Sequence, residues 1–504
     1  MDSRKLPARV FPPSFAAAVH AGARTVMVNS AEINGTPGHV NHHLLTDVLR
    51  GELGFKGFVV SDWEDIKKLV STWRAAPDEK EATRLAVMAG IDMSMVPQDY
   101  SFSDLLIELV KEGKVPMSRI DEAVSRILLV KFDLGLFEDP LPRPKTGFAT
   151  AESRQVALEA ARESLVLLKN DGGMLPLTRD RKILVTGPTA DSLIALNNGW
   201  TYVWQGNNAA LYPKDRPTIL KAIQERVGSN VTYVPGVAFD KEIDIGAAVR
   251  AAQDADLAVV CVGESSYAET PGNITDLTLS APQLKLAEAI EATGKPVLLV
   301  LVEGRPRVIN RLVDGAKGIL LALNPGNEGG TAIADILFGD YNPNGKLPFT
   351  YPRTPNSYIT YDHKLFETEE TGFGNEAFAP QFEFGSGLSY TTFAYSNLQV
   401  SPKSVPRNGE VRISVTVTNS GQRAGKEAVI VYLRDEVASL TPAGRRVKRF
   451  AKISLEPGQS RTLSFTFRNA DFSFIGADNK PTVEAGDFRV LVGKLSDGFT
   501  LQPK

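Results

Sequence analysis

The hydrophobic period of this chain changes once, near residue 392, and that change limits what the chain can fold into. Before it, short and nearly continuous apolar runs alternate with helical stretches, the pattern of parallel βα units whose strands are buried on both faces. After it, apolar and polar residues alternate at period two, the pattern of half-buried antiparallel strands. Two such patterns in 504 residues mean several domains; at about 100–200 residues per domain, the length allows two to four.

The first part is itself divided. Residues 1–138 read as strands Thr25–Asn29, Gly57–Ser61 and Ile91–Met95, with helices at Leu44–Leu53, Glu79–Ala89, Ser103–Lys111 and Asp121–Phe132. Asp139-Pro-Leu-Pro-Arg-Pro cannot sit inside an element, so residues 139–152 read as a Pro-rich linker. A second α/β layered domain is expected over residues 153–392. It opens with a helix that places Leu158, Ala161, Leu165 and Leu168 on one face and stops at Asn170. Buried-type strands follow at Lys182–Thr186, Leu257–Val262, Pro296–Val302 and Gly318–Leu323. Residues 393–504 carry period-two runs at Asn397–Val400, Val411–Thr418, Ala428–Leu433, Lys448–Ile453, Arg461–Phe467, Gly486–Val492 and Phe499–Gln502. Short strands at this spacing predict an immunoglobulin- or fibronectin-III-like β-sandwich.

Composition narrows the partners. With 56 basic against 59 acidic residues and no block of like charge, neither nucleic acid nor an anionic membrane is expected as the main partner. The longest apolar runs, Leu257–Val262 and Val297–Val302, fall far short of the ~20 residues that span a bilayer. The single Cys261 and five scattered His residues offer no metal-ligand spacing, so no metal is expected. The apolar stretch Phe15–Val19 is interrupted too early to read as a signal peptide.

Three segments carry chemistry. In Gly57-Phe-Val-Val-Ser-Asp-Trp63 a hydrophobic strand ends in an acid and an aromatic. At the C-terminal end of a barrel strand Asp62 would face an active site with Trp63 as a wall; alternatively, Asp62 caps the following helix. Gly263-Glu-Ser-Ser-Tyr-Ala-Glu-Thr-Pro-Gly272 follows a buried strand and sets Glu264 and Glu269 on one loop, either functional or a solvated acidic turn. Asn197-Asn-Gly-Trp-Thr-Tyr-Val-Trp-Gln-Gly206 clusters Trp200, Tyr202 and Trp204, which suit stacking on sugar faces or a plain core stripe.

These segments, in this order, resemble glycoside hydrolase family 3, the retaining exo-acting β-glucosidases and their relatives. The resemblance runs through the whole chain. Glu32-Ile-Asn-Gly and Leu44–Gly54 lead into Ser61-Asp-Trp as in that family, and Ala89-Gly-Ile-Asp-Met-Ser-Met95 looks like its last barrel strand. Ala161-Arg-Glu-Ser-Leu-Val-Leu-Leu-Lys-Asn170 looks like the start of its second domain, and Asn324-Pro-Gly-Asn-Glu-Gly-Gly330 and Leu337–Pro348 look specific to that domain. Phe384-Gly-Ser-Gly-Leu-Ser-Tyr390 marks the usual junction to a fibronectin-like domain.

The resemblance implies hydrolysis of terminal β-D-glucosyl residues by double displacement. Asp62 would be the nucleophile and Glu269 the general acid/base, with Glu264 the rival for that role; Trp63 and Trp204 would bind substrate. Glu328 and the run around it would be structural. Such chemistry needs an ionised and a protonated carboxyl about 5–5.5 Å apart and no cofactor. With the acids on different domains, the pocket is expected between them. The family is often periplasmic or secreted.

The chain also departs from the pattern. A (β/α)₈ barrel needs eight strands and about 250 residues, whereas only three candidate strands precede the linker, corresponding to the last three βα units. Ser30 stands where the family often has a Tyr. A partial barrel leaves open edges, so weak or no activity is expected of the isolated chain. Association with a complementary N-terminal half, or with itself, is expected as well. A non-catalytic carbohydrate-binding or assembly remnant is the alternative. An NAD-dependent reading fails on Thr186-Gly-Pro-Thr-Ala-Asp191, which lacks G-x-G-x-x-G.

Overall fold

The computed structural model describes residues 5–141, 147–357, 359–368 and 379–503. The chain divides into two compact units: unit 1 holds residues 1–146 and 475–482, unit 2 residues 147–474 and 483–504.

In unit 1, strands β1 (Thr25–Met27), β2 (Phe58–Trp63) and β3 (Met93–Met95) form a parallel sheet in sequence order. Helices α1 (Lys5–His20), α2 (Asp65–Ser71), α3 (Glu79–Ala89), α4 (Ser101–Lys111) and α5 (Met117–Asp133) accompany it. The expected helix at Leu44–Leu53 is present as a π-helix over His43–Glu52. Asp78 caps α3, its carboxylate accepting from the Glu81 amide, and Gly90 ends the helix with positive φ. The small core gathers Leu45, Phe55, Val59, Leu69, Ala86 and Ile91. The Asp92 side chain is fully buried just before β3, where Arg50, Arg119 and Arg126 all pair with it.

Unit 2 begins with a correction. Helix α6 spans Ala151–Ser164, and Leu165 already has extended backbone angles. Val166–Asn170 is then a strand, β4, antiparallel to Gly318–Leu321. The helical face expected to run on to Leu168 and Asn170 therefore ends at Ser164. In the strand, Val166, Leu167 and Leu168 are all buried, on two faces of a sheet, which one face of a helix could not achieve. The remaining strands are β5 (Ile183–Thr186), β6 (Val231–Tyr233), β7 (Leu257–Gly263), β8 (Val297–Val302) and β9 (Gly318–Leu321). The sheet order is β4-β9-β8-β7-β5-β6, and only β4 runs antiparallel. Every residue of β5, β7, β8 and β9 is buried, which is why these runs are legible as apolar blocks. The edge strand β6 is half exposed and carries no such signal. Of the expected linker, residues 142–146 lie outside the described residues.

The C-terminal β-domain packs two sheets, antiparallel throughout except for the parallel pairing of Ser404–Val405 with Leu495–Leu501. One joins β10 (Phe393–Ser401), β12 (Val411–Asn419) and β15 (Ser460–Phe467). The other orders β11 (Ser404–Val405), β17 (Leu495–Leu501), β16 (Gly486–Val492), β13 (Gly425–Asp435) and β14 (Arg446–Leu455). Strict alternation along β12 and β13 puts Val415, Val417, Val429 and Val431 in the core. This domain is tied to the α/β domain by charge: Lys426 and Lys452 pair with Glu163 of α6, whose Oε1 also accepts from the Tyr341 hydroxyl at 2.7 Å. Burial pushes the Glu163 carboxyl up, but the hydrogen bonds from Lys426, Lys452 and Tyr341 outweigh it and hold it at about 2.

Candidate active site

In unit 1, Asp62 is the penultimate residue of β2, and Trp63 ends the strand with its side chain 53% exposed. The β2–β3 register shifts between Val60 and Trp63, and such an irregularity re-aims a side chain at a strand end. The helix-cap alternative for Asp62 fails. The residue before α2 is Glu64, which makes no side-chain cap, and the Asp62 carboxylate accepts from the Trp63 amide at 2.6 Å instead. The Asp62 amide donates to His39 Nε2 at 3.0 Å, a contact the sequence did not reveal.

In unit 2 the chain runs outward from β5 to β6 and then returns to β7 on the other side of β5, so the order reverses between β5 and β7. In open α/β sheets, ligands bind beyond the C-terminal strand ends at such a switch point. Both remaining candidate segments lie there: residues 197–206 follow β5 and residues 264–272 follow β7.

Side-chain and backbone hydrogen bonds lock these loops together. Gln205 donates to the Ala268 carbonyl at 3.0 Å and accepts from the Ala268 amide at 3.1 Å, which sets Trp204 and Glu269 on adjacent, mutually braced segments. Asn198 Oδ1 accepts from the Tyr267 and Gly199 amides, and Asn198 Nδ2 donates to Asn324. The approach is close enough to exclude side chains: a Cβ on Gly199 would lie 2.2 Å from the Tyr267 carbonyl oxygen, and one on Gly206 2.1 Å from that of Asn198. Trp200, Tyr202 and Trp204 are all exposed, Trp204 by 46%, so the core-stripe alternative is excluded.

The two glutamates of the second loop differ completely. Glu264 is nearly buried and saturated. Its Oε1 meets Arg305 Nε at 2.7 Å and Arg307 Nη1 at 3.3 Å, while its Oε2 accepts from the Gly304 and Arg305 amides and the Tyr267 hydroxyl. The Arg305 guanidinium stacks 4.1 Å from the Tyr267 ring centre, and burial raises the Tyr267 hydroxyl to about 12. Both oxygens of this carboxylate are thus engaged as acceptors. Glu269 is exposed, and among the described residues its carboxylate has no hydrogen-bond or ion-pair partner. Its backbone has φ 53° and ψ −142°, a conformation costly for a residue with a side chain and typical of functional sites. The solvated-turn alternative is therefore wrong for Glu264. Sequence reasoning missed Arg305, Arg307 and Gln205; of these, only Gln205 had a visible neighbour, Trp204.

The chain matches the glycosyl hydrolase family 3 N terminal domain over residues 2–130, the family 3 C-terminal domain over 165–390 and a fibronectin type III-like domain over 427–496. It is 43% identical to a lysosomal beta glucosidase of Dictyostelium discoideum, aligning over 98% of this chain and 62% of that protein. It is 39% identical to a periplasmic beta-glucosidase of Salmonella typhimurium, over 98% of this chain and 69% of that protein. The structure of a Listeria innocua beta-glucosidase in complex with glucose superposes with a TM-score of 0.91 at 31% identity, covering all of this chain and 71% of that one. The chain thus spans about two thirds of the length of these relatives. By sequence over nearly its whole length, and by fold, the chain belongs to glycosyl hydrolase family 3.

Proposed function

We propose that this chain hydrolyses terminal non-reducing β-D-glucosyl residues with retention. The Asp62 carboxylate attacks the anomeric carbon while Glu269 gives its proton to the departing glycosidic oxygen. Glu269, now a carboxylate, takes a proton from water, and the resulting hydroxyl displaces Asp62 from the sugar. Trp63 and Trp204 bind sugar faces. The observation that carries the choice of acid/base is the contrast on one loop between a saturated Glu264 and an unpartnered Glu269 braced beside Trp204.

The three parallel strands of unit 1 are read as the last three βα units of a (β/α)₈ barrel. The exposed Met27 and Met93 on that sheet support association with a complementary half or with a second copy. A periplasmic or secreted location is supported by the Salmonella relative's name, and among the described residues no helix is long and apolar enough to cross a membrane. Incubation with a 2-deoxy-2-fluoro-β-glucoside and intact-mass analysis should show one adduct on Asp62. Sugar binding without an adduct would favour a non-catalytic carbohydrate-binding protein.

A further inference from the structure

The Asp62 amide lies where its own sheet cannot pair it. β1 is in register with β2 only as far as Met27 opposite Val60, and the last bond on that side runs from the Val28 amide to the Val60 carbonyl. On the other side the β2–β3 register is interrupted between Val60 and Trp63. Backbone donors at this depth still need a partner, and His39 supplies it, 23 residues earlier in the chain, from a 3₁₀ turn over Gly38–Val40.

His39 is 1% exposed and packs without a water-facing edge. Because Nε2 accepts from the Asp62 amide, it must carry a lone pair, so the ring is neutral with its proton on Nδ1. Nδ1 faces Asp65 Oδ2 at 3.6 Å; Asp65 is fully buried, and that oxygen has no other hydrogen-bond partner among the described residues. Lys68 pairs with the other oxygen, Oδ1. The charged groups facing the ring are thus Asp62 from β2 and Asp65 and Lys68 from α2. Burial lowers the His39 pKa, and this outweighs the pull of Asp65 and Asp62 in the other direction. A carboxylate orienting an imidazole whose far nitrogen meets a reacting segment is a recurrent way to fix tautomer and position.

We propose that neutral His39, oriented by Asp65, is a positioning residue for the nucleophile: it holds the Asp62 backbone at the strand irregularity and so sets the direction of its carboxylate. This rests on the reading of Asp62 as nucleophile. Protonating His39 would set a donor against the Asp62 amide and release the strand end.

Two measurements on the full chain test it. With histidine-selective ¹⁵N labelling, and the His39 signals identified by their loss in His39→Gln, the ring at neutral pH should be uncharged and protonated at Nδ1. A ring protonated at Nε2 overturns the proposal. Covalent labelling by a 2-deoxy-2-fluoro-β-glucoside should be about tenfold or more slower at saturating reagent in His39→Leu, with little change in the half-saturating concentration. His39→Gln, whose amide oxygen can accept at the Nε2 position, should recover most of the rate; a purely structural role would give no such split or rescue. Equal rates in His39→Leu and the unaltered chain also overturn it. If the unaltered chain takes no label, the nucleophile reading fails on its own, and the ring-nitrogen measurement decides whether His39 holds the Asp62 backbone.

Discussion

The candidate residues of the two units are carried by sheets of opposite character. In unit 2, the strands that lead into the site are buried along their whole length, and the acid sits on a loop beyond them. In unit 1, the strand itself carries the acid, in a sheet whose outer strands expose Met27 by 54% and Met93 by 45%. In unit 2 a frame buried on both faces carries Glu269, strained in its backbone and without a side-chain partner among the described residues. On the half-covered frame, Asp62 is held by the Trp63 amide on its carboxylate and by His39 on its backbone.

The largest expected effect tests the division of labour between the acids. In an active assembly with the missing barrel half supplied, Asp62→Asn should lower turnover of an aryl β-glucoside by on the order of 10⁴-fold, with no covalent intermediate. Glu269→Gln should still take the first step with a dinitrophenyl glucoside, stall at the second, and be rescued by azide as the β-glucosyl azide. Rescue of Glu264→Gln in place of Glu269→Gln would reverse the contrast between the two loop acids, whereas the saturated contacts of Glu264 lead us to expect loss of thermal stability in that variant.

Next in size is the difference between the frames. Leu299→Ala removes a fully buried side chain from the middle of β8 and should cost about 2–5 kcal/mol in denaturant unfolding of unit 2. Met27→Ala on the exposed sheet should stay within about 0.5 kcal/mol. Similar costs at both positions would show that the unit 1 sheet is covered in solution, by a partner or a second copy. A smaller effect is expected at Gly199→Ala, which forces the loop away from the Tyr267 carbonyl and should cost about 1–3 kcal/mol.

The smallest effect is a pH dependence confined to unit 2. Glu303 is fully buried at the end of β8; burial raises its carboxyl to about 8, against the opposing hydrogen bond with the Tyr351 hydroxyl at 2.8 Å. The folded state therefore holds a proton that the unfolded chain releases near its ordinary value of 4.5. Stability from this group is complete below that value and is lost as pH rises toward about 8. Thermal unfolding should shift down by a few degrees across that window, and Glu303→Gln should flatten the slope. An unchanged slope in the variant would place the titration elsewhere.

What the sequence revealed follows the same division. Strands buried on both faces stand out as apolar blocks, so β5, β7, β8 and β9 are legible to within a residue or two. The half-exposed edge strand β6 is not. The spacing of Leu158, Ala161, Leu165 and Leu168 fits a helix, and only pairing with Gly318–Leu321 turns its second half into a strand. Among the candidate residues, Asp62, Glu264, Glu269 and Trp204 stand out in the sequence because each sits in a motif with its neighbours. His39 was not, because a single His in Gly-His-Val has no periodicity and its partner is a backbone amide far along the chain. The ranking of Glu269 over Glu264 likewise depends on Arg305 and Arg307, some forty residues away in sequence and named by no motif.

The charge contact between Glu163 and the β-sandwich has a consequence for anyone shortening this protein. With its carboxyl held at about 2, Glu163 stays anionic in any compartment a living cell maintains, so Lys426 and Lys452 act as permanent counter-ions that acidification does not remove. Cutting the chain before Phe393 would strip both ammonium groups from a partly buried anion and leave the Tyr341 hydroxyl as its remaining neighbour among these three donors. The C-terminal sandwich is in this sense a fixed electrical part of the α/β domain. A truncated chain would need Glu163→Gln, or a cation engineered onto the α/β domain's own surface, before it could be expected to stand alone.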